Sequence, residues 1–182
     1  MAAVQTPPGQ ISVDLQSPVV DLSAPLDERD IDLVQQTLGR VAILGLDNVG
    51  WVLFMNTFKI APAAQGLFEA GFLQLKPLNK PFNDMPELAQ SSNMKETGGR
   101  VVETLAAAVG LLRDLETLVP ILQDLGKKGV SCGVIPAHYD IFGEALITSL
   151  QLALGANFTD PVKNAYLKVY TIVKNTMIGD NY

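Results

Sequence analysis

The chain has 182 residues, 48% hydrophobic and 18% charged, which is enough for one domain with a sizeable buried core. Its formal charge of −6 argues against nucleic acid as a partner, since that binding demands a basic face. No apolar run reaches the length of a membrane span and no charged start precedes an apolar core, so neither a membrane partner nor a secretory signal is expected. The single Cys132 leaves no internal disulfide and fits a reducing compartment, so the expected location is the cytoplasm. Asn157-Phe158-Thr159 is a glycosylation triplet, read as a coincidence without a signal.

Residues 1–25 form an N-terminal extension and residues 26–182 the domain. The extension carries Pro7, Pro8 and Pro18 with only scattered Val and Leu, the composition of a flexible tail. Ile11, Val13 and Leu15 alternate weakly, which also suits an extended arm lying on the globule or on a neighbouring copy. Self-association through that arm is therefore expected. Ser23 followed by Pro25 and acidic residues predicts the start of a first helix, with Leu33, Val34, Leu38, Val41 and Leu44 as its buried stripe. Asp47-Asn48 reads as the cap of a second helix that turns Trp51, Phe54, Met55 and Phe58 inward. Residues 71–90, with Pro77, Pro81 and Pro86, read as a long loop.

Residues 94–129 organise the chain. Val101, Val102, Leu105, Ala108, Val109 and Leu112 recur at spacings of three and four, the pattern of a helix with one buried face, starting near 91–93. A polar break at 113–116 follows. Leu118, Leu122 and Leu125 then repeat at helical spacing, and Lys127, Lys128 and Gly129 read as a cationic last turn with a glycine stop. Two such helices meeting at a short corner form the walls of an apolar pocket. A further helix begins after Pro136, runs through Phe142, Leu146, Leu150 and Ala153, and stops at Gly155. The last opens at Asp160-Pro161 and continues to Met177, leaving 179–182 as a frayed end.

The segments WVLFMNTFKIAPAAQGLFEAGF (51–72), MKETGGRVV (94–102) and LGKKGVSCGVIPAHYDIFGEAL (125–146) resemble the globin family, its neuroglobin-like members especially. The resemblance covers roughly 26–177. It implies an all-α globin fold of about eight helices in a three-over-three sandwich, with Pro62 opening the third helix. It places Phe54 over the gas-binding side of a haem pocket and Phe68 against the ring. Val101, Leu125, Val134, Tyr139 and Phe142 complete the wall. The family's distal and proximal histidines fall on Thr97 and Gly129. The one histidine, His138, falls beside the pocket residue Tyr139 and is expected to face outward. Thr97 has two readings: a hydroxyl for a bound diatomic or water, or one returned to the carbonyl of the preceding turn. Gly98 suits a close crossing with the second helix, whereas Gly99 beside it costs about 1 kcal/mol relative to Ala with no cause visible in the sequence.

No Ser/His/Asp set, paired Cys/His metal ligands or phosphate-cradling glycine loop is present, so no enzyme activity is expected. A globin iron needs a neutral imidazole nitrogen where this chain has glycine. The sequence therefore points to a globin without haem coordination. Its pocket then holds an apolar small molecule, or the protein serves in assembly. The alternative is haem b, expected by family resemblance, held with unusual ligation or by apolar burial alone.

Overall fold

A computed structural model describes residues 25–64 and 92–182. The expectations for the N-terminal arm, for Phe68 and for the loop at 71–90 lie outside the described residues. Six α-helices and no strand occur among the described residues: α1 Glu28–Ile43, α2 Leu46–Ile60, α3 Ser92–Gly110, α4 Leu115–Ser131, α5 Pro136–Leu154 and α6 Asp160–Ile178. Pro62–Ala64 adds a short 3-10 turn where the third helix was expected to open. The helices form two layers, α1, α3 and α4 over α2, α5 and α6. The main crossings between layers are α2 with α3, α1 with α6, and α4 with α6.

Helix ends differ from expectation by a few residues, for identifiable reasons. Asp27, not Ser23, caps α1: its carboxylate accepts from the Asp30 amide at 2.7 Å, and Asp30 accepts in return from the Asp27 amide. Leu44 is 48% exposed rather than buried, because the chain turns at Gly45. Asp47 and Asn48 lie in the first turn of α2 behind an N-cap glycine and provide no side-chain cap bond. Asp114 caps α4 by accepting from the Thr117 amide at 3.1 Å. Gly129 is not the stop of α4, which runs to Ser131. The residue with left-handed backbone is Gly133 (φ 82°), and the cationic last turn holds Lys128.

Helices α2 and α3 cross in backbone contact. A Cβ on Gly98 would sit 2.5 Å from the Gly50 carbonyl carbon, and one on Gly50 would overlap the Gly98 backbone. Gly98 therefore performs the expected crossing. Gly99 now has a cause as well: the Asp47 carboxylate occupies the space its side chain would need. The remaining core runs through all six helices, with Val34, Val41, Leu53, Leu118, Leu122 and Ala145 at 2% exposure or less.

Polar contacts fix the frame around this core. Lys168 of α6 pairs with Asp30 of α1 at 2.7 Å with both side chains largely buried. Arg113, in the corner between α3 and α4, donates to Glu28, Asp32 and Gln35 of α1. These carboxylates, Asp32 first, hold the exposed guanidinium charged. Tyr166 donates to the Val34 carbonyl at 3.4 Å beside the Thr37 hydroxyl, and burial pushes its phenol up to about 12.

Candidate functional site

The apolar faces of α3 and α4 diverge enough to leave a cavity of about 590 Å³, closed from the other layer by α5 and α6. Thr97 and Val101 of α3, Leu125 and Gly129 of α4, Val134 of the following corner, and Tyr139 and Phe142 of α5 all line it, as the sequence indicated. Thr97 and Tyr139 are each 8% exposed. Phe54 differs from expectation. It is fully buried, with its ring parallel to that of Phe58 one turn on (centroids 6.0 Å), and it is not among the described lining residues. The i, i+4 spacing lets the two rings stack within α2, which keeps Phe54 in the core.

The centre of the site is the pairing of Gly129 with Tyr139. A Cβ on Gly129 would lie 3.0 Å from the Tyr139 hydroxyl, 3.6 Å from Val134 Cβ and 3.8 Å from the Tyr182 hydroxyl. Gly129 is thus buried mid-helix because a phenol fills the space its side chain would take. Tyr139 and Tyr182 place their hydroxyls 3.3 Å apart, with rings edge to face at 6.2 Å. Tyr182 therefore docks on the site instead of fraying. Burial first, then the hydrogen bond it shares with Tyr182, pushes the Tyr139 phenol well above its ordinary range. Tyr170 supports the arrangement from α6: its ring lies against Gly143 and its hydroxyl donates to the Tyr139 carbonyl at 2.5 Å. Nothing in the local sequence marks Tyr170 or Tyr182, since both contacts join residues far apart in the chain.

His138 also departs from expectation. It is half-buried and lines the cavity. Its Nδ1 accepts the Ile135 amide at 3.1 Å, closing the first turn of α5. An accepting Nδ1 puts the ring proton on Nε2, so the nitrogen left free is a donor and has no lone pair for a metal.

While that bond stands, His138 offers a haem iron in this cavity no free lone pair. Thr97 offers a neutral hydroxyl and Gly129 no side chain. Cys132 is half-buried and not among the described lining residues. Three other side chains with possible iron-ligand chemistry do reach the wall, Tyr139, Met177 and Lys174, the last an ammonium paired with Asp140 that would first have to lose its proton. Tyr139 would have to lose a proton that burial holds on the phenol, and Met177 is a weak neutral thioether. The donor set does not fit a haem anchored through imidazole. Among the described residues, no group of three or more His, Cys, Asp or Glu could hold a metal ion.

A two-layer helical sandwich with an apolar cavity between two of its helices defines an all-α pocket protein. Residues 53–177 match the family model for globins. Neuroglobin-2 of Oncorhynchus mykiss is 32% identical over 154 residues, 84% of this chain and 90% of that protein. Neuroglobin of Danio rerio matches to the same extent. A flavohemoprotein of Bacillus subtilis is 28% identical over 106 residues, 56% of this chain and 27% of that protein. The chain belongs to the globin family and has the all-α globin fold.

Proposed function

We propose that this globin uses the cavity between α3 and α4 to hold an apolar small molecule and makes no protein bond to a haem iron. One observation carries the reading: the Tyr139 hydroxyl stands 3.0 Å from where a side chain on Gly129 would begin. The position that the family resemblance assigns to the proximal histidine thus lacks a ligand, and a side chain there would have to displace the Tyr139 hydroxyl. The cavity's volume falls within the range of about 300–1,000 Å³ usual for ligand pockets, and its wall is mainly aliphatic and aromatic. Each apolar surface moved from water into it contributes about 25 cal/mol per Å² to binding.

The test is the visible spectrum of the purified protein, followed by titration with a fluorescent apolar probe. No Soret band and saturable binding of one probe per chain are expected. Protein that carries a Soret band overturns the reading. The second reading, a haem held without imidazole, draws on the phenol of Tyr139 and the thioether of Met177 at the wall. A Soret band that shifts on Tyr139→Phe selects it. A colourless protein that ignores the probe and dissociates from an oligomer when residues 1–24 are removed would replace both readings with an assembly role.

A further inference from the structure

The charged groups on the cavity wall are of one sign. Its ionisable side chains are Arg100, His138, Lys174 and the tyrosines Tyr139 and Tyr170, and no carboxylate lines it among the described residues, although the chain has 19 acidic against 13 basic residues. The acidic partners of the cations sit outside. Glu96 bonds Arg100 on the outer face of α3, with both side chains more than half exposed. Asp140, 68% exposed, bonds Lys174 at 2.8 Å. Lys174 itself is only 27% exposed and contributes to the wall. His138 of α5 also lines the cavity, and its cap bond to Ile135 leaves Nε2–H as its free donor. Lys174 shares its charge with the largely exposed Asp140, and the Nε2–H of His138 has no acceptor among the described residues, so a ligand that brings an acceptor satisfies both.

The geometry points to a ligand with an apolar tail and one terminal carboxylate, held at the head by Lys174 Nζ and His138 Nε2–H. The tail lies along Val101, Leu105, Leu122 and Leu125. This rests on the reading of the cavity as an apolar-ligand site and adds the class of ligand. The head shares Lys174 with Asp140, whose exposed pairing contributes little to stability and yields readily. A hydrogen bond to a charged group in a half-buried site is worth about tenfold in affinity or somewhat more. Arg100 plays no part in the assignment, because its side chain is 72% exposed and turned to Glu96.

The experiment measures displacement of a bound apolar fluorescent probe by dodecanoate and by dodecanol, which share a tail and differ in the head. Dodecanoate is expected to bind about tenfold tighter than dodecanol. Lys174→Met is expected to remove most of that advantage while leaving dodecanol and the probe unchanged, which separates loss of the head contact from loss of fold. Equal affinities for the two ligands, or a dodecanoate advantage that survives both Lys174→Met and His138→Phe, overturns the assignment of the head and leaves the apolar site standing. Failure of the probe and of both ligands to bind the full-length protein overturns the apolar site itself.

Discussion

Replacing Gly129 by Ala, alone and together with Tyr139→Phe, tests the arrangement on which the site depends. In a helix interior the added methyl contributes about 1 kcal/mol of stability through propensity. Here that methyl would lie 3.0 Å from the Tyr139 hydroxyl, closer than ordinary carbon–oxygen packing, so the phenol must move by a few tenths of an ångström. The phenol has little room to move. Its ring is buried, its hydroxyl faces Tyr182 at 3.3 Å, and its backbone carbonyl accepts from Tyr170. Overpacking of that kind costs about 1–3 kcal/mol, so Gly129→Ala alone is expected to lose about 1 kcal/mol. Tyr139→Phe alone gives up one long hydrogen bond to an exposed partner, again about 1 kcal/mol. With the hydroxyl gone, the nearest neighbours of the new methyl are Val134 Cβ at 3.6 Å and the Tyr182 hydroxyl at 3.8 Å, both ordinary contacts. In that background Gly129→Ala is expected to stabilise by about 1 kcal/mol, for a coupling near 2 kcal/mol. Urea denaturation of the four proteins measures it. Additivity within about 0.5 kcal/mol would mean that the hydroxyl does not govern the glycine, and the reasoning fails.

Three further outcomes are expected. Gly98→Ala sets a methyl 2.5 Å from the Gly50 backbone, which cannot swing aside, and is expected to cost about 3 kcal/mol; Gly39→Ala, in open space on α1, should instead gain up to about 1 kcal/mol in the same denaturation assay. Lys168→Met leaves the Asp30 carboxylate largely buried without its 2.7 Å partner and is expected to cost about 3 kcal/mol, whereas changing both to apolar residues should recover much of the loss. In alkali, Tyr139, Tyr166 and Tyr170 bind their protons more tightly folded than unfolded, chiefly because of burial, Tyr166 to about 12. Their contribution is complete below the ordinary tyrosine value near 10 and is lost as pH rises toward the folded values, by up to about 1.4 kcal/mol per pH unit for each phenol. Phenolate absorbance of these three should therefore appear together with unfolding; their ionisation in intact protein near pH 10 would contradict the burial.

The fold was legible in the sequence because helical periodicity is a local signal. Val101, Val102, Leu105, Ala108 and Val109 mark one face of α3 without reference to any other part of the chain, and the polar break expected at 113–116 falls close to the corner at 111–114, with Leu115 and Glu116 already in the first turn of α4. Most of the cavity wall followed from the same pattern together with the family resemblance. Contacts between distant residues were not legible. Gly99 is explained only by Asp47 across the helix crossing, and Tyr182 only by Tyr139, a separation of 43 residues. The family resemblance assigns Phe54 to the pocket, but it is buried in the core with its ring parallel to that of Phe58. The same resemblance turns His138 outward, whereas it is half-buried and lines the cavity.

Gly98 and Gly129 are glycines for different reasons, and the difference bears on whether the cavity wall leaves room for an axial ligand. At Gly98 the excluded atom is backbone, so the position is fixed by the crossing of α2 and α3 whatever the cavity contains. At Gly129 the excluded atom is the end of a side chain that is itself part of the cavity wall. An imidazole on Gly129 and the phenol of Tyr139 compete for one volume, so a chain with this wall accommodates one of them. Substituting histidine at Gly129 alone would therefore drive an aromatic ring into Tyr139 and is expected to cost stability without creating a metal site. Gly129→His combined with Tyr139→Ala clears the volume and makes the stronger test: added haemin should then give a Soret band with the double variant and none with Gly129→His alone. If the single substitution ligates haemin as well as the double one, the phenol does not hold that space, and the case for a cavity closed to axial ligation falls with it.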